Sequence, residues 1–145
     1  MGFYTHISVV FSCNEKEGII TCAKDFLTKN SLDSEDGSRE AKWFVEDCAT
    51  GRGYVCGPKG ALYTWGLVGN YTNAEKFVEV LMPFWDQLLG KAKDCGFDFE
   101  HINVFYEPEQ SEQAQCYEIY REAHDKKGAI LIKHHDALPF CWRQF

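Results

Sequence analysis

The chain has 145 residues, with 22 acidic and 15 basic side chains and a formal net charge of −7. This length suggests one domain over residues 1–145, large enough to bury a core without metals or disulfides. A composition of 45% hydrophobic and 26% charged residues excludes disordered, collagen-like and coiled-coil proteins. Because no apolar run approaches the ~18 residues of a membrane-spanning helix, we expect no membrane association.

The N-terminal segment predicts both a strand and a compartment. Residues 3–12 alternate and are rich in Val, Ile, Phe and Tyr, which is typical of a strand. They lack the basic region and the cleavage site of a signal peptide, so we expect a cytoplasmic protein. The seven cysteines, an odd number without a CxxC pair, agree with this compartment, and we expect them to be reduced and mostly buried.

Two helices are predicted after this strand. Apolar residues recur at helical spacing in residues 15–29, and a polar loop follows. Residues 39–50 fit a helix, with apolar residues at i, i+3, i+4 and i+7, but they also show an alternation typical of a strand. Gly51 stands where a glycine often ends a helix, which favours the helical interpretation.

The middle of the chain is rich in glycine. Residues 51–60 are predicted as a glycine-rich loop and residues 61–71 as a strand. Within that strand, Gly66 and Gly69 suggest a bulge or a close backbone approach. A wide apolar stripe then predicts one long helix, which Pro83 should kink near its middle.

Three strands complete the predicted order, over residues 101–107, 114–122 and 129–135, and their short connectors predict an antiparallel meander. The apolar tail, residues 138–145, is expected to dock on the body. The predicted fold class is therefore α+β: a single domain with a mostly antiparallel sheet and helices packed on one face. With residues 39–50 as a strand, the order β-α-β-β-α-β-β-β predicts a ferredoxin-like core with added C-terminal strands.

Five histidines and seven cysteines form a pool of candidate metal ligands and nucleophiles. Zinc needs three or four converging ligands. His134 and His135, however, are adjacent on a predicted strand and should point to opposite faces, with His6 able to meet one of them across the sheet. Cys13 is the best-placed nucleophile, just before a helix, but no nucleophile motif surrounds it. We therefore predict no metal, no cofactor and no catalytic residue.

Two polar segments are candidates for binding. Arg52 and Lys59 lie in the 51–60 loop, whose backbone N–H groups could form an anion-binding nest. Neither phosphate-loop motif is present, however, so an ordinary loop is favoured. Glu107 and Glu109 lie in or beside a hairpin connector, where a solvated acidic patch is favoured over an acid–base pair. Such a patch suits a cationic partner.

Aromatic residues make up 15% of the chain, more than a core of this size needs. Tyr and Trp are enriched at binding interfaces. Tyr63, Trp65 and Tyr71 share one face of a predicted strand, which is either covered by helices or open to a partner. The other Tyr and Trp residues in this excess are Trp43, Tyr54, Trp85, Tyr106, Tyr117, Tyr120 and Trp142. Of these, Trp85 belongs to the apolar stripe and is predicted to be core.

These features predict a non-catalytic binding or inhibitory protein that acts on a macromolecular partner through an aromatic and acidic surface. Small acidic inhibitors, such as toxin-immunity proteins or phage-encoded blockers of host defence, have this profile of size and charge, an analogy that no motif supports. The predicted surface joins the strand around Trp65 to the 51–60 loop. The residues predicted to bind are Arg52, Lys59, Tyr63, Trp65, Tyr71, Glu107, Glu109 and Arg143.

The alternative is a protein that sequesters a small anionic aromatic ligand, such as a nucleotide. Its Tyr and Trp rings would stack on the base, and Arg52, Lys59 or Arg143 would meet a phosphate. A small enzyme with a Cys/His or Glu/His pair is less favoured. Direct nucleic-acid binding is not expected, because Lys and Arg occur in pairs rather than in stripes. The sequence leaves a homodimer open.

Overall fold

The computed structural model describes residues 4–12, 16–52, 54–57, 60–70, 73–90, 101–107, 114–121 and 130–136. Within these ranges, only the backbone is described for residues 4–6, 12, 54–57, 60–70, 90, 101 and 107. The described elements, in chain order, are β1 Tyr4–Ser12, α1 Lys16–Lys29, α2 Ser38–Ala49, β2 Tyr54–Gly57, β3 Gly60–Asn70, α3 Ala74–Val80, α4 Met82–Gly90, β4 His101–Glu107, β5 Gln115–Tyr120 and β6 Leu131–His135. This set of elements confirms the α+β class.

The described strands form one antiparallel sheet with the order β2-β3-β1-β4-β5-β6. Strands β4, β5 and β6 follow one another in sequence and in space, which confirms the predicted meander. Ile7, Val9 and Phe11 alternate along β1 and join one buried cluster with apolar residues from all four helices. The described helices therefore cover one face of the sheet, as predicted.

The pairing of β1 with β3 is continuous, from Tyr4 opposite Asn70 to Ser12 opposite Leu62. The predicted bulge at Gly66 or Gly69 is therefore wrong. A bulge would place two residues of one strand opposite a single residue of the other, whereas every residue along this register has one partner.

Residues 39–50 are helical, and the glycine after them ends the helix as predicted. Gly51 has a φ of 78°, in the left-handed region that favours glycine. Its N–H donates to the carbonyl of Cys48 at 3.1 Å, and the N–H of Arg52 donates to the carbonyl of Asp47 at 3.1 Å. This pair of bonds is the Schellman arrangement, which satisfies carbonyls that the end of a helix otherwise leaves without donors.

The N-terminus of α2 is built around a buried carboxylate. Glu40 is 2% exposed, and its Oε2 accepts the N–H of Gly37 at 2.7 Å. Its Oε1 accepts from the guanidinium of Arg39 at 2.9 Å. Gly37 has a φ of 93°, and a Cβ placed there would lie 2.7 Å from the carbonyl oxygen of Asn73. The start of α2 therefore packs against the start of α3 at a position that only glycine can occupy without strain.

Strand β2 lies inside the segment predicted as a glycine-rich loop over residues 51–60. Its four residues pair with β3, from Tyr54 opposite Tyr63 to Gly57 opposite Gly60. So short a run shows little periodicity of its own, and the pairing with a neighbouring strand stabilises it. The ferredoxin-like alternative required a strand over residues 39–50, whereas these residues are helical.

The apolar stripe predicted as one kinked helix forms two helices, α3 and α4, with a turn at Leu81 between them. Pro83 lacks an N–H, and its ring would clash with the carbonyl of Glu79 in a continuous helix. The chain therefore breaks two residues before the proline instead of bending at it. The indole of Trp85 spans the break, since its Nε1 donates to the carbonyl of Val78 in α3 at 3.0 Å.

The core is mainly aliphatic and phenylalanine-rich, and it contains Trp85, which is 0% exposed. This burial confirms the prediction for that tryptophan. Cys22, Cys48 and Cys116 are buried, as expected. Side chains of the other four cysteines and the tail over residues 138–145 lie outside the described residues. Across the described helices, none is both long and apolar enough to span a membrane.

Candidate functional site

The structure describes only part of the predicted binding surface. Four of its residues lie outside the described residues: Lys59, Tyr71, Glu109 and Arg143. Tyr63, Trp65 and Glu107 are described by their backbone alone, and Trp65 pairs with Val9, which is buried beneath the helices. Arg52 is the one predicted residue with a described side chain, and it is exposed just after α2.

The strand register separates Tyr63 from Glu107, two of the residues predicted to bind. Tyr63 pairs with Phe11 near one end of β1, whereas Glu107 pairs with His6, five residues further back along the same strand. At about 3.4 Å per residue, the two levels are about 17 Å apart. Glu107 and Tyr63 therefore lie near opposite ends of the sheet.

Three other ring side chains form a row across neighbouring strands: Tyr106 on β4, Tyr117 on β5 and His134 on β6. The Tyr106 and Tyr117 rings are stacked, with centroids 5.4 Å apart and an interplanar angle of 17°. The ring of His134 lies 4.7 Å from that of Tyr117 and 6.1 Å from that of Tyr106. We call these three residues the ring row.

The register explains why the rings share a face. Tyr106 pairs with Ile7, whose side chain is buried in the helix-covered core, so Tyr106 belongs to that face of the sheet. Tyr117 and His134 are directly opposite each other on β5 and β6. Tyr106 and Tyr117 are half-buried, and His134 retains 37% of its side-chain exposure. The row therefore lies where the helical layer no longer covers the sheet completely.

A triangle of hydrogen-bonding atoms closes one end of the ring row. The hydroxyl oxygen of Tyr106 lies 2.7 Å from Oε1 of Gln115 and 2.8 Å from Nε2 of His134. Oε1 of Gln115 lies 3.0 Å from the same Nε2. On the other side of the imidazole, Nδ1 of His134 lies 3.6 Å from Oδ1 of Asp136, a carboxylate that is 95% exposed.

Carboxylates from a helix and from the end of β6 act on the two tyrosines. Burial is the main cause that raises the pKa of Tyr106 above its usual range, followed by the Tyr117 hydroxyl and the charges of Asp136 and Glu75. Burial likewise raises the pKa of Tyr117, and the carboxylates of Glu75 and Glu79 add to this effect. The ring row is therefore aromatic and uncharged at its hydroxyls, and the carboxylates that act on its tyrosines are negatively charged.

The opposite face of the sheet carries a separate polar pair. Nε2 of His135 lies 3.5 Å from Oε1 of Glu118. The contacts of His134 and His135 confirm that the two histidines point to opposite faces. The predicted meeting of His6 with either of them is wrong, because β4 and β5 lie between β1 and β6. No group of three or more metal-ligating side chains occurs among the described residues.

A cavity of about 350 Å³ lies at the end of α1. Its lining includes Lys29 and Lys42, together with hydroxyl, amide and leucine side chains from residues 27–32. The lining contains no aromatic ring on which a base could stack. This cavity therefore lacks the feature on which the nucleotide alternative depends.

The sequence predicts the strands that carry the ring row, but it does not predict that the three residues meet. Tyr106 and Tyr117 are among the aromatic residues in excess of the core, and His134 is among the candidate ligands. Their alternation along predicted strands was the available signal, but the register that aligns them is set by pairing. Comparisons with family models, curated proteins and solved structures find no match to this chain.

Proposed function

We propose that this protein is a non-catalytic binding domain that takes a positively charged segment of a protein partner on the ring row. The observation that carries this proposal is a row of three partly exposed rings on which the carboxylates of Glu75, Glu79 and Asp136 act. These rings and carboxylates support an aromatic and acidic binding surface made of residues other than those predicted from the sequence.

Two physical effects favour a cation at this surface. The faces of aromatic rings carry negative potential, which attracts Arg and Lys side chains. The nearby carboxylates add to this potential, and the net charge of −7 attracts a basic partner from a distance. Guanidinium groups can also stack on rings while they bind carboxylates, so an Arg-rich segment suits the site better than one with Lys alone.

The chemistry of the tyrosines supports binding rather than catalysis. The pKa of Tyr106 is raised, so its hydroxyl stays protonated at neutral pH and is a poor nucleophile. The hydroxyl is also held by Gln115 and His134. Rings held in this way offer a rigid contact surface at low cost in side-chain entropy.

Inhibition of the partner is a narrower form of this proposal. It would follow if the basic segment that binds the ring row were itself needed for the partner's activity. The surface predicted around Trp65 remains a second proposal for the same function, and the substitution Trp65→Ala tests it, with loss of binding but retained cooperative unfolding as the expected result.

The test uses a fluorescein-labelled peptide of alternating Arg and Gly residues, with binding measured by fluorescence anisotropy at low salt. The double substitution Glu75→Gln/Glu79→Gln removes the two helix carboxylates that act on the tyrosines. We expect this change to weaken binding about ten-fold, and we expect added salt to weaken binding to the unsubstituted protein.

The matched control is Glu17→Gln/Glu46→Gln, which changes the net charge equally at two exposed positions on α1 and α2. We expect it to weaken binding by less than two-fold. Equal losses in the two double variants would mean that only the overall charge matters. Such a result, or the absence of any binding to the peptide, would overturn the proposal.

A further inference from the structure

We propose that His134 is a charge switch within the ring row: protonation of its imidazole weakens the binding of cations to this surface. This inference rests on the proposed function, since it concerns the regulation of the same surface. It is carried by the positions of the polar atoms on both sides of the imidazole ring.

The polar atoms on the two sides of the imidazole ring favour different neutral tautomers. When the proton is on Nδ1, Nε2 is an acceptor. It then competes with Oε1 of Gln115 for the single proton of the Tyr106 hydroxyl, although these two acceptors lie 3.0 Å apart. With the proton on Nε2, Nδ1 is an acceptor that faces the carboxylate of Asp136 at 3.6 Å. Each neutral tautomer therefore leaves two acceptors facing each other.

The imidazolium has no such conflict. Its Nε2–H can donate to Oε1 of Gln115, its Nδ1–H faces Asp136, and the Tyr106 hydroxyl remains free to donate to the same Gln115 oxygen, which has two lone pairs. The imidazolium thus meets an acceptor at each of its two nitrogen atoms. The site can also hold the neutral ring, because the Tyr106 hydroxyl can donate to Nε2 instead.

The charges around His134 come from three elements and from its own strand. Tyr106 and Tyr117 face it from β4 and β5. The carboxylates that act on these tyrosines belong to α3 and, for Asp136, to the residue after β6. The described titratable or charged groups that contact the ring or act on its tyrosine neighbours are Tyr106, Tyr117, Glu75, Glu79 and Asp136. Lys133, next to it on β6, pairs with Glu118 and belongs to the opposite face of the sheet.

Protonation has a direct consequence for a cationic partner. The new positive charge lies in the row itself, where it cancels part of the carboxylate charge and repels an incoming guanidinium. Histidine is the side chain whose charge ordinarily changes between about pH 5 and 8, whereas carboxyl groups ordinarily titrate below this range. Binding should therefore weaken as the pH falls through the histidine range.

The test repeats the labelled-peptide measurement at about pH 5.5 and about pH 8. For the unsubstituted protein we expect binding at the lower pH to be about five- to ten-fold weaker. His134→Gln should bind equally well at the two values, within about two-fold. The control is His135→Gln on the opposite face of β6, which should retain the full dependence on pH.

The outcomes separate the two proposals. If the peptide binds but the unsubstituted protein shows no dependence on pH, or if His134→Gln keeps that dependence, the switch is wrong and the binding function stands. If the peptide does not bind at either pH, the binding function fails.

The switch is then judged by NMR titration of the ring resonances of the unliganded protein. The Tyr106 and Tyr117 signals should shift with the same midpoint as the His134 imidazole, and these shifts should vanish in His134→Gln. If the tyrosine signals did not change as His134 is protonated, the switch would be wrong, whatever the binding measurements show.

Discussion

The hydroxyl of Tyr106 lies 2.8 Å from Nε2 of His134, although the two residues are 28 positions apart and lie on strands that do not pair with each other. Strand β5 runs between them, and its Gln115 joins both residues through one oxygen. These three polar contacts thus link three strands at the partly open end of the helix-covered face. They hold in place the rings on which the proposed function depends.

The first prediction concerns stability at high pH. The pKa of Tyr106 is raised in the folded protein, mainly by burial, so the folded state holds this proton more tightly than the unfolded state. The stabilisation is complete below about pH 10, the ordinary value, and is lost as the pH rises beyond it. In Tyr106→Phe the free energy of unfolding should therefore fall less steeply above about pH 10, as measured by urea unfolding over a pH series.

The same variant should lose about 1 kcal/mol near neutral pH, because a partly buried hydrogen bond disappears. Tyr120→Phe is the matched control, since Tyr120 lies on the same sheet but on the other face. If the free energies of unfolding of Tyr106→Phe and of the unsubstituted protein fell equally steeply above pH 10, Tyr106 would not contribute to the loss of stability at high pH.

The second prediction concerns the buried carboxylate at the start of α2. Glu40→Ala should destabilise the protein by about 2 kcal/mol, because the N–H of Gly37 and the guanidinium of Arg39 both lose an acceptor. Urea unfolding measures the loss. Glu46→Ala, at an exposed position of the same helix, should change the free energy of unfolding by less than about 0.5 kcal/mol. Similar values for the two variants would mean that Glu40 does not cap the helix.

The third prediction compares two glycines that both have positive φ. A Cβ at Gly37 would meet the backbone carbonyl of Asn73, which cannot move without shifting α3. A Cβ at Gly51 would meet the end of the flexible Lys16 side chain, which can swing away. Asn tolerates a left-handed conformation better than most residues. Gly37→Asn should therefore cost about 3 kcal/mol and Gly51→Asn about 1 kcal/mol or less.

Thermal and urea unfolding of the two variants check this order. A larger loss for Gly51→Asn would show that the end of α2 is less tolerant than its start. That result would contradict the assigned role of Gly37 in the contact between α2 and α3.

The fourth prediction concerns the break between α3 and α4. Trp85→Phe removes both buried ring volume and the donor to the carbonyl of Val78, which lies in the last turn of α3. We expect a loss of about 2 to 3 kcal/mol in the free energy of unfolding. Trp43→Phe is the control, because Trp43 is 44% exposed on α2, and it should change stability by less than about 0.5 kcal/mol.

The outcome for Trp85→Phe also tests the break itself. A neutral substitution would indicate that the indole does not hold the two helices together. In that case the separation of α3 from α4 would depend on Pro83 alone.

The sequence predicts most elements correctly where the signal is local. Helix α2 depends on apolar spacing and on Gly51, which stands two residues after the last helical residue, and both features are local in the sequence. The three strands of the meander likewise follow from alternation between short polar connectors. Local propensity and the energetics of the final fold agree in these segments.

Two errors arise where a local signal competes with a distant partner. The residues of β2 are too few to show alternation, and their pairing with β3 stabilises them as a strand. At Pro83 the stripe of apolar residues continues unbroken, so it does not reveal whether the helix bends or separates. The buried indole of Trp85, with its bond across the gap, is part of what makes separation stable.

The sequence by itself determined an acidic, aromatic-rich α+β protein, because composition and periodicity are carried by each segment independently. Only the tertiary structure decided which rings form a surface. A shift of the register of β5 by one residue would place Tyr117 on the other face of the sheet, and the three rings would no longer lie side by side. That register is set by the packing of the whole sheet against its helices, which no single segment of the sequence contains.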